Sequence, residues 1–201
     1  MQYLELEKIN NMKIAVIYGS NRSDRQGIKA AKFVVNKLKE RNIDTTLIDT
    51  MEYELPFLDK MHKEYPKGEA PETMERIHKI LETADGFVIV SAEYNHSIPA
   101  VLKNLLDHFQ SEYYFKPSAI VSYSAGTFGG MRVAMHLRVV LAELGMPSIS
   151  SIFPISLIYD SIDKNGNAVD DNYNQRVDGF INEFEWYVSA FKNQRKTGVP
   201  Y

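Results

Sequence analysis

Three short stretches carry the residues best suited to chemistry. The first, 19–27, reads Gly-Ser-Asn-Arg-Ser-Asp-Arg-Gln-Gly. Small hydroxyl and amide side chains, two arginines and the open N–H groups of a helix start suit a phosphate monoester. The stretch lacks the Gly-Lys-Ser/Thr of a P-loop and the second glycine of a dinucleotide fingerprint. A polar helix cap with solvated arginines is the plainer alternative. The second stretch, 91–97, is Ser-Ala-Glu-Tyr-Asn-His-Ser. A tyrosine beside an amide offers a ring contact and hydrogen bonds to a flat heterocycle. The alternative is a surface turn, with His96 solvent-facing or capping. The third, 122–130, is Ser-Tyr-Ser-Ala-Gly-Thr-Phe-Gly-Gly. Its glycines let a backbone approach a ligand closely, and Tyr123 or Phe128 can meet an apolar ring. A tight strand-to-helix turn explains it as well.

Ser122-Tyr123-Ser124-Ala125-Gly126 also approximates a nucleophile elbow, with serine in place of the first glycine. The only later histidine, His136, falls in the helix that follows, so the third member of a triad is missing. Histidines 62, 78, 96, 108 and 136 show no metal-ligand spacing, so no metal is expected. Met131 and Met135, at helical spacing, are expected in the core.

The elements that must position these loops follow from hydrophobic period. Residues 12–18 and 87–90 are apolar runs of the buried parallel type, and 43–49, 117–123 and part of 149–158 complete five strands. Helices are expected over 28–41, from Pro71, after Ser97 as cap with Pro99 in the first turn, over 129–144, and in a final segment burying Val177, Phe180, Ile181, Phe184, Val188 and Phe191. The alternation predicts a doubly wound α/β sheet with helices on both faces. In such a sheet ligands bind beyond the carboxyl ends of the strands, where all three loops fall. The irregular stretch 51–71 is long enough to be a lid, a binding loop or an interface segment.

Composition narrows the class. The 201 residues are 44% hydrophobic and 24% charged, as in a single globular domain, and the net charge of −3 suggests no nucleic-acid or membrane surface. The absence of cysteine excludes disulfides, Cys-ligated metal and thiol catalysis, and agrees with a reducing cytoplasm. Residues 1–11 are acidic where a signal peptide is basic, and read as an N-terminal extension.

In the order and placement of GSNR (19–22), EYNHSIPAVLKNLLDH (93–108) and YSAGTFGG (123–130), the chain resembles the NADPH-dependent FMN reductase family. The likeness spans roughly 12–155, and its middle stretch is the most specific. Where the family often has proline before Glu-Tyr-Asn, this chain has Ala92. The resemblance implies a flavodoxin-like three-layer sandwich with five parallel strands in the order 2-1-3-4-5. It implies bound FMN, its phosphate held by Ser20, Asn21, Arg22 and Arg25. Glu93, Tyr94 and Asn95 would border the flavin ring, and Ser124 and Gly126 would close its other side. It further implies NADPH or NADH as donor, a small acceptor such as a quinone or flavin, no protein nucleophile, and a homodimer or homotetramer. A non-enzymatic flavodoxin-type carrier and a flavin-free interaction protein are the rival readings.

Overall fold

The computed structural model describes residues 12–201, so the N-terminal extension lies outside the described residues. Five parallel strands, β1 (Lys13–Tyr18), β2 (Asp44–Asp49), β3 (Gly86–Ala92), β4 (Ser118–Tyr123) and β5 (Ser148–Ile155), lie side by side in the order β2-β1-β3-β4-β5. Between them run α1 (Ile28–Glu40), α2 (Glu72–Thr83), α3 (Ala100–Asp107) and α4 (Met131–Glu143), followed by the short α5 (Ile158–Ser161) and the long α6 (Asp171–Arg195). The chain leaves β1 toward β2 and returns to β3 on β1's other side. That reversal opens a crevice at the carboxyl edge of the sheet.

The strands read as continuous apolar runs because both faces are covered. Alternate residues supply two separate interiors. Ile14, Val16 and Tyr18 of β1 pack under α1 and α6, while Ala15 and Ile17 pack under α2, α3 and α4. On α2, Met74, Ile77 and Leu81 form the buried stripe. Five residues of the expected α6 stripe are buried, and Phe191 is partly so.

Three local expectations are corrected. Ser97 does not cap α3; the N-cap is Pro99, and Ser97 closes a turn with Tyr94. α4 starts at Met131, because Gly129 and Gly130 both adopt positive φ, at 60° and 74°, and turn the chain before the helix. Met131 and Met135 are 40% and 47% exposed, because the sheet-facing side of α4 is filled by Val133, Ala134, Leu137 and Leu141.

One buried cation makes stability pH-dependent. Lys116 donates to the Leu81 and Glu82 carbonyls at the end of α2, at 2.7 and 2.9 Å. Burial, with Arg195 adding repulsion, lowers its pKa from 10.5 to about 8. Between those values the unfolded chain binds more protons than the folded one, so this contribution to stability grows as pH rises through the window. Denaturant titrations from pH 8 to 10.5 should show the parent gaining on Lys116→Met, by about 3 kcal/mol across the full window. A constant difference between the two proteins would contradict this assignment.

Candidate functional site

Beyond the carboxyl ends of β1, β3 and β4 lies a cleft of about 170 Å³. Its first wall is the loop after β1. Gly19 packs so closely on α3 that a methyl group there would overlap Leu102. Ser20, buried beneath, shares a 3.0 Å hydrogen bond with the Tyr94 hydroxyl, which joins the first loop to the second. Arg22 also lines the cleft, is exposed, and makes no ion pair among the described residues. α1 opens beside it at Gly27 with no capping side chain and no acidic residue in its first turn. An anion is therefore favoured there by the helix dipole, the open N–H groups and one guanidinium together.

Arg25 also lines the cleft, but its guanidinium is already engaged. It grips both carboxylate oxygens of buried Asp49, at the end of β2, with Nη2 to Oδ2 at 2.6 Å, and donates to the Ser20 carbonyl at 3.0 Å. Burial works against its charge, but the Asp49 pair outweighs it and raises the pKa. The two arginines thus sit differently, Arg22 open to a ligand and Arg25 bracing the loop. Asn21, just before Arg22, lines a neighbouring cleft with Thr50, Tyr53 and Asn104.

The second wall follows β3. Tyr94 and Ser97 exchange both backbone hydrogen bonds, at 3.0 and 2.9 Å, around Asn95 and His96, whose φ values are 49° and 66°. Two positive φ values mark a type I′ turn, a geometry in which asparagine and histidine are among the commoner residues besides glycine. The turn leaves Tyr94 against the cleft and places Asn95 and His96 exposed at its tip. Glu93 lines the same wall, but its carboxylate accepts the Arg132 and Val133 N–H groups, at 3.0 and 3.4 Å, and so caps α4. Ser97 Oγ and His136 Nδ1 add a 3.1 Å link to the same helix.

Ser124 and Ala125 form the third wall. The Ser124 hydroxyl donates to the Gly126 carbonyl at 3.0 Å, and His136 is committed to Ser97, so the nucleophile-elbow reading falls. Gly126 is exposed at the rim with space around it, and the Leu157 N–H bonds its carbonyl at 3.1 Å. Tyr123 is buried in the floor beside Tyr18, where burial pushes both phenols up. Phe128 points outward, 69% exposed.

The structure therefore gathers Ser20, Arg22, Arg25, Glu93, Tyr94 and Ser124 around one cleft, and sets Asn21, Asn95 and Gly126 outside its lining. Sequence reasoning missed three contributors, Asp49, Ile158 and Tyr159, while Asp24 and Gln26 of the 19–27 stretch line the cleft without having been given a role. Only Asp49 had a sequence signal, since it ends a strand at the edge where the site must lie.

A parallel sheet of order 2-1-3-4-5, with a phosphate-suited pole and tyrosines over one crevice, defines a flavodoxin-like protein built for a mononucleotide cofactor. The donor set fits FMN, with hydroxyl, guanidinium and helix N–H groups at one pole and aromatic and backbone surface at the other. The chain belongs to the NADPH-dependent FMN reductase family, whose sequence pattern matches residues 12–160. It is an FMN-dependent NAD(P)H oxidoreductase. Relatives include an NAD(P)H-dependent FMN reductase of Schizosaccharomyces pombe, 34% identical over 161 residues, 75% of this chain and 76% of that one. A 2-hydroxy-1,4-benzoquinone reductase of Burkholderia sp. is 28% identical over 188 residues, 88% of this chain and 96% of that one. In structure, the chain is similar to a flavoenzyme NAD(P)H:(acceptor) oxidoreductase from Paracoccus denitrificans, with TM-score 0.72 and 23% identity over 90% of this chain and 98% of that one.

Proposed function

We propose that this protein takes two electrons from NADPH or NADH and delivers them to a small acceptor of the quinone or flavin type. The carrying observation is the division of the cleft into a phosphate pole and an open aromatic pole. Ser20, Arg22 and the first turn of α1 bind the phosphate, while Arg25 holds the loop in shape and Asn21 stands behind it. Tyr94 and the Glu93 backbone border the ring, with Ser124 on its other side and Asn95 and Gly126 out at the rim. FMN, when bound, supplies the hydride chemistry. The protein's part is to fix one ring face, leave the other open for nicotinamide and acceptor in turn, and stabilise added negative charge with backbone donors. Such a site needs no acid–base pair. The relatives named as quinone reductases support this acceptor class.

The test is an anaerobic absorbance titration with FMN, then NADPH, then a quinone. Bleaching by NADPH and recovery with quinone are expected. Flavin binding without reduction by NADPH would favour an electron carrier. Arg22→Ala should weaken FMN binding roughly tenfold to a hundredfold, the value of a charge-assisted hydrogen bond or two. Unchanged affinity would move the phosphate elsewhere.

No helix among the described residues is long and apolar enough to cross a membrane. We place the protein in the cytoplasm, in keeping with its lack of cysteine. We assign a second copy to the outer face of α4, where Met131, Met135 and Val139 are exposed at helical spacing, Val139 to 72%, with exposed Phe128 on the loop before them. Sedimentation should show a homodimer or homotetramer, shifted toward monomer by Met135→Glu with Val139→Glu. A parent that is monomeric at micromolar concentration would refute this assignment.

A further inference from the structure

A second cluster lies among the segments packed around α2. His62 sits on a single 3₁₀ turn, His62–Glu64, within the long stretch between β2 and α2. His78 is in the middle of α2, and Glu112 on a second 3₁₀ turn, Ser111–Tyr113. Remote in sequence, one ligand atom from each lies within 4.8 Å of the others. Glu112 Oε1 is 2.8 Å from His78 Nδ1 and 3.4 Å from His62 Nδ1. The two imidazoles are nearly parallel, their centres 3.9 Å apart. Glu112 Oε2 accepts the Gln110 N–H at 2.9 Å. Burial opposes the charge on Glu112, but this backbone bond and His78 outweigh it and hold the carboxyl below its usual range.

The outer nitrogens face carboxylates as well. His62 Nε2 is 3.5 Å from Glu75 Oε1, and His78 Nε2 is 3.8 Å from Glu82 Oε2. His62 Nε2 is buried and has no hydrogen bond. A neutral imidazole carries one N–H and one lone pair. Four ring nitrogens facing carboxylate oxygens therefore leave two lone pairs aimed at anions when both rings are neutral. A cation between the Nδ1 atoms and Glu112 removes that conflict. The lone pairs then turn to the ion, and the N–H groups turn outward to Glu75 and Glu82. Carboxylates behind the ligating rings are the usual means of orienting metal-binding histidines.

We propose that His62, His78 and Glu112 bind a divalent cation of the zinc class, with water completing the shell. Two imidazoles and one carboxylate suit zinc better than magnesium or calcium. Bonds of about 2.0–2.1 Å at tetrahedral angles set ligand atoms about 3.3 Å apart, and the separations of 2.8 and 3.4 Å lie on either side of that value. The parallel rings splay on binding so that each lone pair points at the ion. The ion fastens the 51–71 stretch, already tied by His62 N–H to the His108 carbonyl at 2.8 Å, onto α2. It is a structural clamp, separate from the flavin cleft.

The test uses metal-stripped full-length protein with FMN, titrated with Co²⁺ and read by visible d–d absorption. One Co²⁺ per chain, displaced by Zn²⁺, is expected, with a higher melting temperature in either metal and no response to Mg²⁺. Glu75→Gln should weaken binding about 10–100-fold, and His78→Gln should abolish the bands. If circular dichroism shows that His78→Gln has not folded, Glu75→Gln carries the comparison. Absent bands, or bands unchanged in the folded variants, would overturn the site. So would a melting temperature that rises on acidification and ignores both metals, since the rings would then be balanced by protons alone.

Discussion

Arg25→Ala should cost the fold about 3–5 kcal/mol, while Arg22→Ala should leave the melt in place and weaken only flavin binding. The two arginines are three residues apart in one loop, yet they answer to different partners. The Asp49 carboxylate is 1% exposed and is held by both Arg25 nitrogens and by the Met51 N–H at 3.1 Å. Without Arg25, a buried charge keeps a single backbone donor. The penalty for stranding such a charge exceeds the value of the pair itself. Urea melts of both variants check this, and Asp49→Asn added to Arg25→Ala should recover part of the loss. An Arg25→Ala protein that melts like the parent but loses FMN would make the phosphate, not Asp49, its main partner.

Gly19→Ala should damage fold and site together, for a steric reason. A Cβ at position 19 would overlap the Leu102 Cβ and come within 2.8 Å of the Leu102 Cα. The backbone of α3 cannot yield as a flexible side chain does, and overpacking of this kind costs about 1–3 kcal/mol. Because Ser20 follows directly, the displacement reaches the phosphate pole, so stability and FMN affinity should fall together. Leu102→Ala in the same chain should restore neither, because alanine keeps the Leu102 Cα and Cβ that the added methyl group meets. A Gly19→Ala protein with parent-like flavin binding would show that the close approach of α3 does not set the loop.

The strand and helix order was legible because the strands are short apolar runs, the helices carry a period of 3.6 residues, and each loop has its own turn residues. The carboxyl-edge rule then placed the site. What escaped were contacts between segments distant in sequence. Nothing near Glu93 announces that it caps α4, and nothing near Arg25 announces Asp49, 24 residues on. Helical spacing made Met131 and Met135 look interior, yet the same spacing serves an outward stripe, and only the packed sheet decides which. Ser97 has the type of a helix cap, but the turn geometry at Asn95–His96 claims it first. The two histidines gave no signal because their meeting depends on how the 51–71 stretch returns over α2.

The separation of the apolar interior into two sets bears on synthesis. The set under α2, α3 and α4 is complete once Met146 has been made. The other needs Val177, Phe180, Ile181, Phe184 and Val188 of α6, which packs against β5, where Phe180 meets Phe153. Arg41, just past α1, likewise waits for Asp178 and Glu185. On the ribosome, then, one side of the sheet can close while the other stays uncovered until α6 emerges. A nascent chain stalled before Asp171 would present the apolar surface around Phe153 of β5 to chaperones, and α6 serves as the latch that ends that exposure.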